Sequence, residues 1–409
     1  MGKIVFIAPV LPVDAAAIAR ILADEGLLDR LVTRSLLPPL FAKILARFSV
    51  TKRFSRRPHS PIKRSLVTQS VAADIAFYNE LRRTGSRTCA MDRSCAIVDR
   101  NAFRRVSGKH GAVLGREDCC ERSFRRAREL GVKTIYDLST AYWRRVGALM
   151  EREAEEFSGI CQTVQNEPNP QERGHRKDVE LALSDHVLCP STFVRDSLQS
   201  ASTLPASIKT IPFASENHWL ATEPSSRKPM FLYVGNITMR KGVHRLLITW
   251  KNLKAYRTHE LRLIGDMRLS SNFLKDFQGM FTHIPRLRRE ELLQHYREAS
   301  AFVFNAVADG FGYVILEALA SATPVIASRN CGAPDVIEHR SEGLLIDYGA
   351  EEQLNSAIEW ALSNPKELAR MGDGALRKAH RWCWSNYAAE FISWLKERVL
   401  NQTFVCKGH

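Results

Sequence analysis

Along the second half of the chain, apolar and polar positions fall into alternating blocks. The run "KPMFLYVGN" (228–236) is rich in β-formers and ends at a glycine, and "KGVHRLLITWKNL" (241–253) after it repeats its apolar residues at helical spacing. "ELRLIGD" and "FTHIPRL" then read as strands, "REELLQHYREAS" as a helix, "AFVFNA" as a strand and "YVILEALA" as a helix. "PVIAS" and "GLLIDY" read as short buried strands, followed by a helix in "AEEQLNSAIEWALSN". The strands are almost continuously apolar and their connections are short, which predicts a parallel sheet covered on both faces.

The first half repeats the alternation less cleanly. Its best strands are "KIVFIAP", "GAVLG", "VKTIYDL" and "HVLCPS", and "REDCCERSF" reads as helical. Proline, serine and charge gather in "EPSSRKP" (223–229), the expected linker. The pattern predicts an α/β chain of two doubly wound, parallel-sheet domains facing a cleft. The first would span residues 1–220 and the second 221–385, and a C-terminal helix within 386–409 would pack back on the first. No repeat at the 20–50 residue scale points to a solenoid.

Composition adds limits. At 409 residues, with 45% hydrophobic and 25% charged residues, the chain has ample material for two cores. No apolar stretch reaches the ~18 residues of a membrane span, and the start, "MGKIVFIAPVLPVDAAAIAR", reads as strand, turn and helix rather than as a signal peptide. The expected location is cytoplasmic. Nine cysteines without a C-x-x-C pair are expected to be reduced and structural. Residues 1–215 hold 34 Lys/Arg against 23 Asp/Glu, whereas the remainder holds 25 against 21. That basic first half suggests an anionic partner, a phospholipid, a phosphorylated acceptor or nucleic acid. No helix-turn-helix, zinc finger or stacked-aromatic module supports nucleic acid.

Two segments carry candidate chemistry, each beyond the carboxyl end of an expected strand, where doubly wound sheets bind ligands. In "ADGFGYVILEALA" (308–320), Gly310, Phe311 and Gly312 stand where a helix begins, and glycines there admit a ligand close to the backbone. Glu317, a carboxylate in a greasy helix, needs a hydrogen-bonding partner. A polyol such as a ribose would supply one, and so would an arginine at the domain surface. Asp309 would either accept from a second polyol or cap the helix. In "GNITMRKG" (235–242), Gly235 and Asn236 open a turn that delivers Arg240 and Lys241, cations suited to phosphate. The spacing is neither a Walker A loop nor a dinucleotide fingerprint.

Taken together, these motifs resemble the donor-binding domain of family 4 retaining glycosyltransferases (group 1, GT-B fold). The family pattern is a Gly-Arg-Leu-x-x-x-Lys-Gly loop, then Glu-x-Phe-Gly-x-x-x-x-Glu, then Ala-x-Gly-x-Pro-Val-Ile. This chain answers with Gly235-Asn236-Ile237 to Lys241-Gly242, with Asp309-Gly310-Phe311-Gly312 to Glu317, and with Ala320 to Ile326. The resemblance implies transfer of a sugar from a nucleotide-diphosphate sugar, without cofactor or bound metal, to an unidentified acceptor such as a lipid-linked or polysaccharide precursor. It implies that Lys241 binds the diphosphate and Glu317 the ribose. Asp309 and the amides of Phe311 and Gly312 would position the sugar, so that Asp309 and Lys241 are the catalytic candidates.

Four positions depart from the pattern. The usual Arg is Asn236, the first Glu is Asp309, the Pro-Ser before it is Asn305-Ala306, and the Gly before Thr-Pro is Ala322. One diphosphate charge is therefore missing unless Arg240 swings in. His110 and His175 are further cleft candidates, although each reads more readily as a solvated loop histidine. The stretch 38–64 has a basic amphipathic character suited to peripheral contact with the anionic inner face of a membrane, or to an ordinary core-facing helix followed by a basic loop. Other readings are a GT-B epimerase or phosphorylase, and a degenerate member that binds without turnover.

Overall fold

The structure, a computed structural model, describes residues 2–34, 62–160, 170–215 and 227–400. Two parallel sheets carry the chain. The first has seven strands in the order β3-β2-β1-β4-β5-β6-β7. They are β1 (Ile4–Ile7), β2 (Leu28–Arg34), β3 (Val67–Ser70), β4 (Ala112–Arg116), β5 (Lys133–Asp137), β6 (His186–Cys189) and β7 (Ser207–Thr210). The second has six in the order β10-β9-β8-β11-β12-β13. They are β8 (Lys228–Val234), β9 (Glu260–Ile264), β10 (Thr282–Ile284), β11 (Ala299–Phe304), β12 (Val325–Ser328) and β13 (Gly343–Ile346). Every pairing within them is parallel. Strand order reverses between β1 and β4 and between β8 and β11, so each sheet opens a crevice at its carboxyl edge there.

The expected strands of the second half are all present; most are largely buried and flanked by turns, and β10 is an exposed edge strand. Three strands of the first sheet escape the pattern. β3 and β7 are half-exposed edge strands with polar residues on both faces, and β2 carries Asp29, Arg30 and Arg34 among its apolar positions. Edge strands have too little buried surface to impose a hydrophobic signature. The stretch "REDCCERSF" is also corrected: a turn with Asp118 at φ 74° comes first, and the helix is Glu121–Glu129, with Cys120 at its N-cap. β8 begins at Lys228, so the expected linker overlaps a strand by two residues. The basic stretch 38–64 lies outside the described residues except for 62–64, of which Ile62 is buried. Among the described residues no helix is long and apolar enough to cross a membrane.

After the second sheet the chain returns to the first. Helix Trp384–Trp394 continues as a π-helical turn, Leu395–Leu400. Trp394 meets His186 edge-on at 5.9 Å between ring centres, Glu390 pairs with Lys209 at 2.6 Å and Lys396 pairs with Glu25 at 3.1 Å.

A buried ionic cluster joins the two sheets' helices on one side. Helix Trp143–Glu156, which follows β5, presents Glu153, fully buried, to helix Val243–Asn252, which follows β8. The Glu153 carboxylate accepts from Arg245 Nη2 at 2.7 Å and Nε at 3.0 Å, from the Tyr348 hydroxyl at 2.5 Å, and faces His244 Nε2 at 2.5 Å. Burial alone would raise its pKa, but the bonds from His244, Arg245 and Tyr348 outweigh it and hold the group at about 2. Removing one partner of such a cluster strands the other charges in a dry site. Glu153→Gln is therefore expected to lose about 3 kcal/mol of stability at pH 7. The depressed pKa stabilises the fold above the unfolded-state value of about 4.5 and loses that contribution as pH falls towards 2. Urea melts of parent and variant should converge across that window, and a constant gap would contradict the assignment.

Candidate active site

The crevices of the two sheets face each other across a cleft of about 640 Å³. On the second-sheet side, the chain leaves β8 at Gly235, whose φ of 144° turns it sharply, and reaches the short 3-10 turn Met239–Lys241. Thr238 caps that turn by accepting from the Lys241 amide. Gly242 then sits at φ 72° against the end of β11, where a β-carbon would collide with the Asn305 carbonyl oxygen. The Asn305 side chain donates to the Gly242 carbonyl at 2.8 Å. Asn305, one of the departures from the family pattern, thus ties the Lys241 turn to the strand that leads to Asp309.

Lys241 and Asp309 are in direct ionic contact. The Asp309 carboxylate also accepts from the Phe311 amide at 3.1 Å, so it caps its own loop while it meets the lysine. Burial pulls the Lys241 ammonium down to about 7, with repulsion from Arg240 adding to it. Gly312, at φ 85°, opens helix Tyr313–Ala320. Glu317, on that helix, accepts from the Tyr296 hydroxyl at 3.1 Å and has Arg289 at 3.7 Å. Burial raises its pKa, and Arg289 and Tyr296 pull it back. Both readings of this acid therefore meet in one residue: it has protein partners, an arginine among them, and it lines the cleft.

Gly235, Asn236, Lys241, Asp309, Phe311, Gly312 and Glu317 come together on this wall. Arg240 and Gly310 do not line it. The Arg240 guanidinium donates through Nε to the Ala308 carbonyl at 3.0 Å, and its own carbonyl accepts from Val307 and Ala308, so the residue braces the 307–309 loop. Arg240 is thus held by this loop and has not swung into the cleft. Arg286 and Arg289 line the cleft instead. Gly310 faces the other domain: a β-carbon there would run into the Ser139 carbonyl, so this glycine serves the approach of two backbones rather than of a ligand. His110 and His175 are away from the cleft. His110 is buried, not solvated, with Nε2 3.3 Å from Asp29 and Nδ1 at Ser107, and His175 is exposed on helix Pro170–Ala182.

The first-sheet wall carries residues that pattern alone did not flag. Arg116 ends β4, Asp137 ends β5, and Asp14 lies in the first turn of helix Val13–Asp24 after β1. Arg116 Nη1 donates to Asp14 at 2.5 Å and lies 3.5 Å from Asp137, whose carboxyl burial lifts to about 6 against the pull of Arg116. Asp14, Arg116 and Ser139 face the cleft. The available signal was a charged residue closing an otherwise apolar strand, in "AVLGR" and "KTIYD".

Residues 218–378 match the family model described as Glycosyl transferases group 1. Among curated proteins, the sulfoquinovosyl transferase SQD2 of Arabidopsis thaliana is 27% identical over 189 residues, covering 42% of this chain and 36% of that protein. The chain thus spans about a third of that relative's length. Among solved structures, sucrose-phosphate synthase from Thermosynechococcus elongatus superposes with a TM-score of 0.63 at 16% identity, over 97% of this chain and 99% of that one. Anabaena Alr3699/HepE, in complex with UDP and glucose, gives 0.61 at 14% identity, over 97% and 100%. Such likeness extends over both domains and shows a shared two-domain architecture.

Gly242 is the steric pivot of the Lys241 turn. Gly242→Ala combines a strained backbone with a clash against Asn305, and is expected to lower stability by about 1–3 kcal/mol in a thermal melt. Asn305→Ala, which removes only the side-chain tie to Gly242, should cost about 1 kcal/mol. A Gly242→Ala protein as stable as the parent would show that the turn is free to relax.

Proposed function

We propose that this protein, whose residues 218–378 match the group 1 glycosyl transferase model and whose two domains share the GT-B architecture, is a retaining glycosyltransferase that moves a sugar from a nucleotide-diphosphate sugar to an acceptor hydroxyl. The observation that carries the reading is the convergence of Lys241, Asp309 and Glu317 on one wall of the interdomain cleft. Lys241 holds the diphosphate and exchanges its contact with Asp309 for phosphate oxygens. Glu317 accepts from the ribose hydroxyls in the direction already set by Tyr296. Asp309 and the Phe311 and Gly312 amides orient the sugar. In the reaction the bond from the anomeric carbon to the diphosphate oxygen breaks and the acceptor oxygen bonds to that carbon on the same face. The acceptor proton passes to the departing diphosphate. Charge growing on that leaving group is met by Lys241, a contribution typically worth a few kcal/mol. The acceptor enters from the wall of Asp14, Arg116 and Ser139.

UDP, GDP, ADP and CMP tested by thermal shift should single out one nucleotide. At 100 times its dissociation constant a ligand stabilises by about 2.7 kcal/mol, and Glu317→Ala should respond clearly less. HepE binds UDP, which makes UDP the first candidate. Flat curves for all four would favour a non-catalytic binding protein on the same fold.

Affinity for the diphosphate should also depend on pH. The ammonium form of Lys241 is the one that binds, and burial draws its pKa down to about 7. Affinity is expected to fall as pH rises above that value, by up to about tenfold per unit, and Lys241→Met should flatten the profile. A parent profile that is level between pH 6 and 9 would remove Lys241 from the diphosphate site.

A further inference from the structure

The Asp309–Gly312 loop belongs to the second domain, yet its central peptide is held from the first. Ser191, at the N-cap of helix Thr192–Ser197, is fully buried, and its hydroxyl donates to the Gly310 carbonyl at 2.6 Å. The amide of the same peptide unit, Phe311 N–H, donates to the Asp309 carboxylate at 3.1 Å. A peptide group is planar and stiff, so its carbonyl and its amide turn together. The serine at one end of the plane and the aspartate at the other are therefore mechanically coupled.

Two further contacts hold the same junction between the domains. Gly310 is pressed on Ser139 and Thr140 so closely that no side chain would fit. Beside Ser191, the Thr192 amide donates to Asp335 at 3.0 Å and the Thr192 hydroxyl bonds the same carboxylate. Asp335 follows Gly332, whose amide bonds the Phe311 carbonyl at 2.9 Å. The first domain thus holds the loop directly at Gly310, and through Asp335 it is bonded to the second-domain segment whose Gly332 takes the Phe311 carbonyl.

Building on the transferase reading, we propose that Ser191 is a positioning residue: through the Gly310–Phe311 peptide it aims the Asp309 carboxylate at the donor sugar, so that the sugar subsite is complete only when the first domain is docked. The nucleotide subsite at Lys241 and Glu317 has no such cross-domain bond to Ser191. Loss of the serine hydroxyl should therefore weaken turnover and spare nucleotide binding.

The test compares the parent with Ser191→Ala and with Ser191→Thr, which keeps the hydroxyl. The readouts are the Kd of the nucleotide found by thermal shift, the kcat and KM for release of free sugar from the matching nucleotide sugar with water as acceptor, and amide hydrogen exchange over residues 305–315. For Ser191→Ala the expected result is a nucleotide Kd within about twofold of the parent. Its kcat should be about 10- to 100-fold lower, as small misplacements cost, with KM little changed and exchange faster at Phe311. Ser191→Thr should restore most of the rate and the protection. Parental kcat or parental exchange in Ser191→Ala would overturn the proposal, as would a nucleotide Kd that worsens in step with kcat. If the parent binds no nucleotide, the transferase reading fails by itself, and the exchange comparison still decides whether Ser191 governs the loop.

Discussion

A charge that has lost its water must find a partner, and this constraint organises the cleft. Lys241 meets Asp309, Glu317 meets Tyr296 and Arg289, and Arg116 is shared by Asp14 and Asp137. Each of these groups sits at the carboxyl edge of a sheet, where strands end and side chains are no longer stacked in the core. These partners all come from the protein itself, and under the proposed function the donor would take their place at Lys241 and Glu317. The same constraint at Glu153 has the opposite outcome, because Arg245, His244 and Tyr348 saturate the carboxylate and leave no room for a ligand. One physical rule thus yields both a replaceable site and a permanent joint.

Much of this was legible in the sequence, and the division follows burial. Helix Tyr313–Ala320 was read from its residues alone, since a continuous apolar octet between a glycine turn and a polar break has few other solutions. Lys241, Asp309 and Glu317 were legible as charges kept at the ends of buried elements. What could not be read were contacts distant in sequence. Arg116 and Asp14 are 102 positions apart, and Ser191 and Gly310 are 119 apart. Neither pair leaves a local period or motif. Arg240 misled for a related reason: its position between two cleft residues was visible, while its bond to Ala308 was not.

The departures from the family pattern acquire physical meaning. Ala322, standing where the pattern has glycine, adopts φ 59°, so this chain holds a β-branchless but not side-chain-free residue in a left-handed turn, a conformation costing about 1–2 kcal/mol outside glycine. Its carbonyl is held by Arg227, which helps to fix the turn. Several basic residues of the first half are held by ion pairs within the fold. Arg173, Arg176 and Lys177 are engaged with Asp92, Glu117 and Asp118, and Arg34 with Asp74. Such pairs take up acids and bases alike, so they leave this domain's excess of basic over acidic residues unchanged.

The return of the chain to the first sheet, through helix Trp384–Trp394 and the turn Leu395–Leu400, gives the molecule two covalent crossings between its halves. A single tether would leave the halves free to swivel about any axis. The two crossings run side by side, the Ser215 amide donating to the Trp382 carbonyl at 2.8 Å, so together they form one strap rather than a lone thread. A strap of that kind resists a twist of one wall against the other, the motion that would part the Gly310 loop from its hold on Ser191.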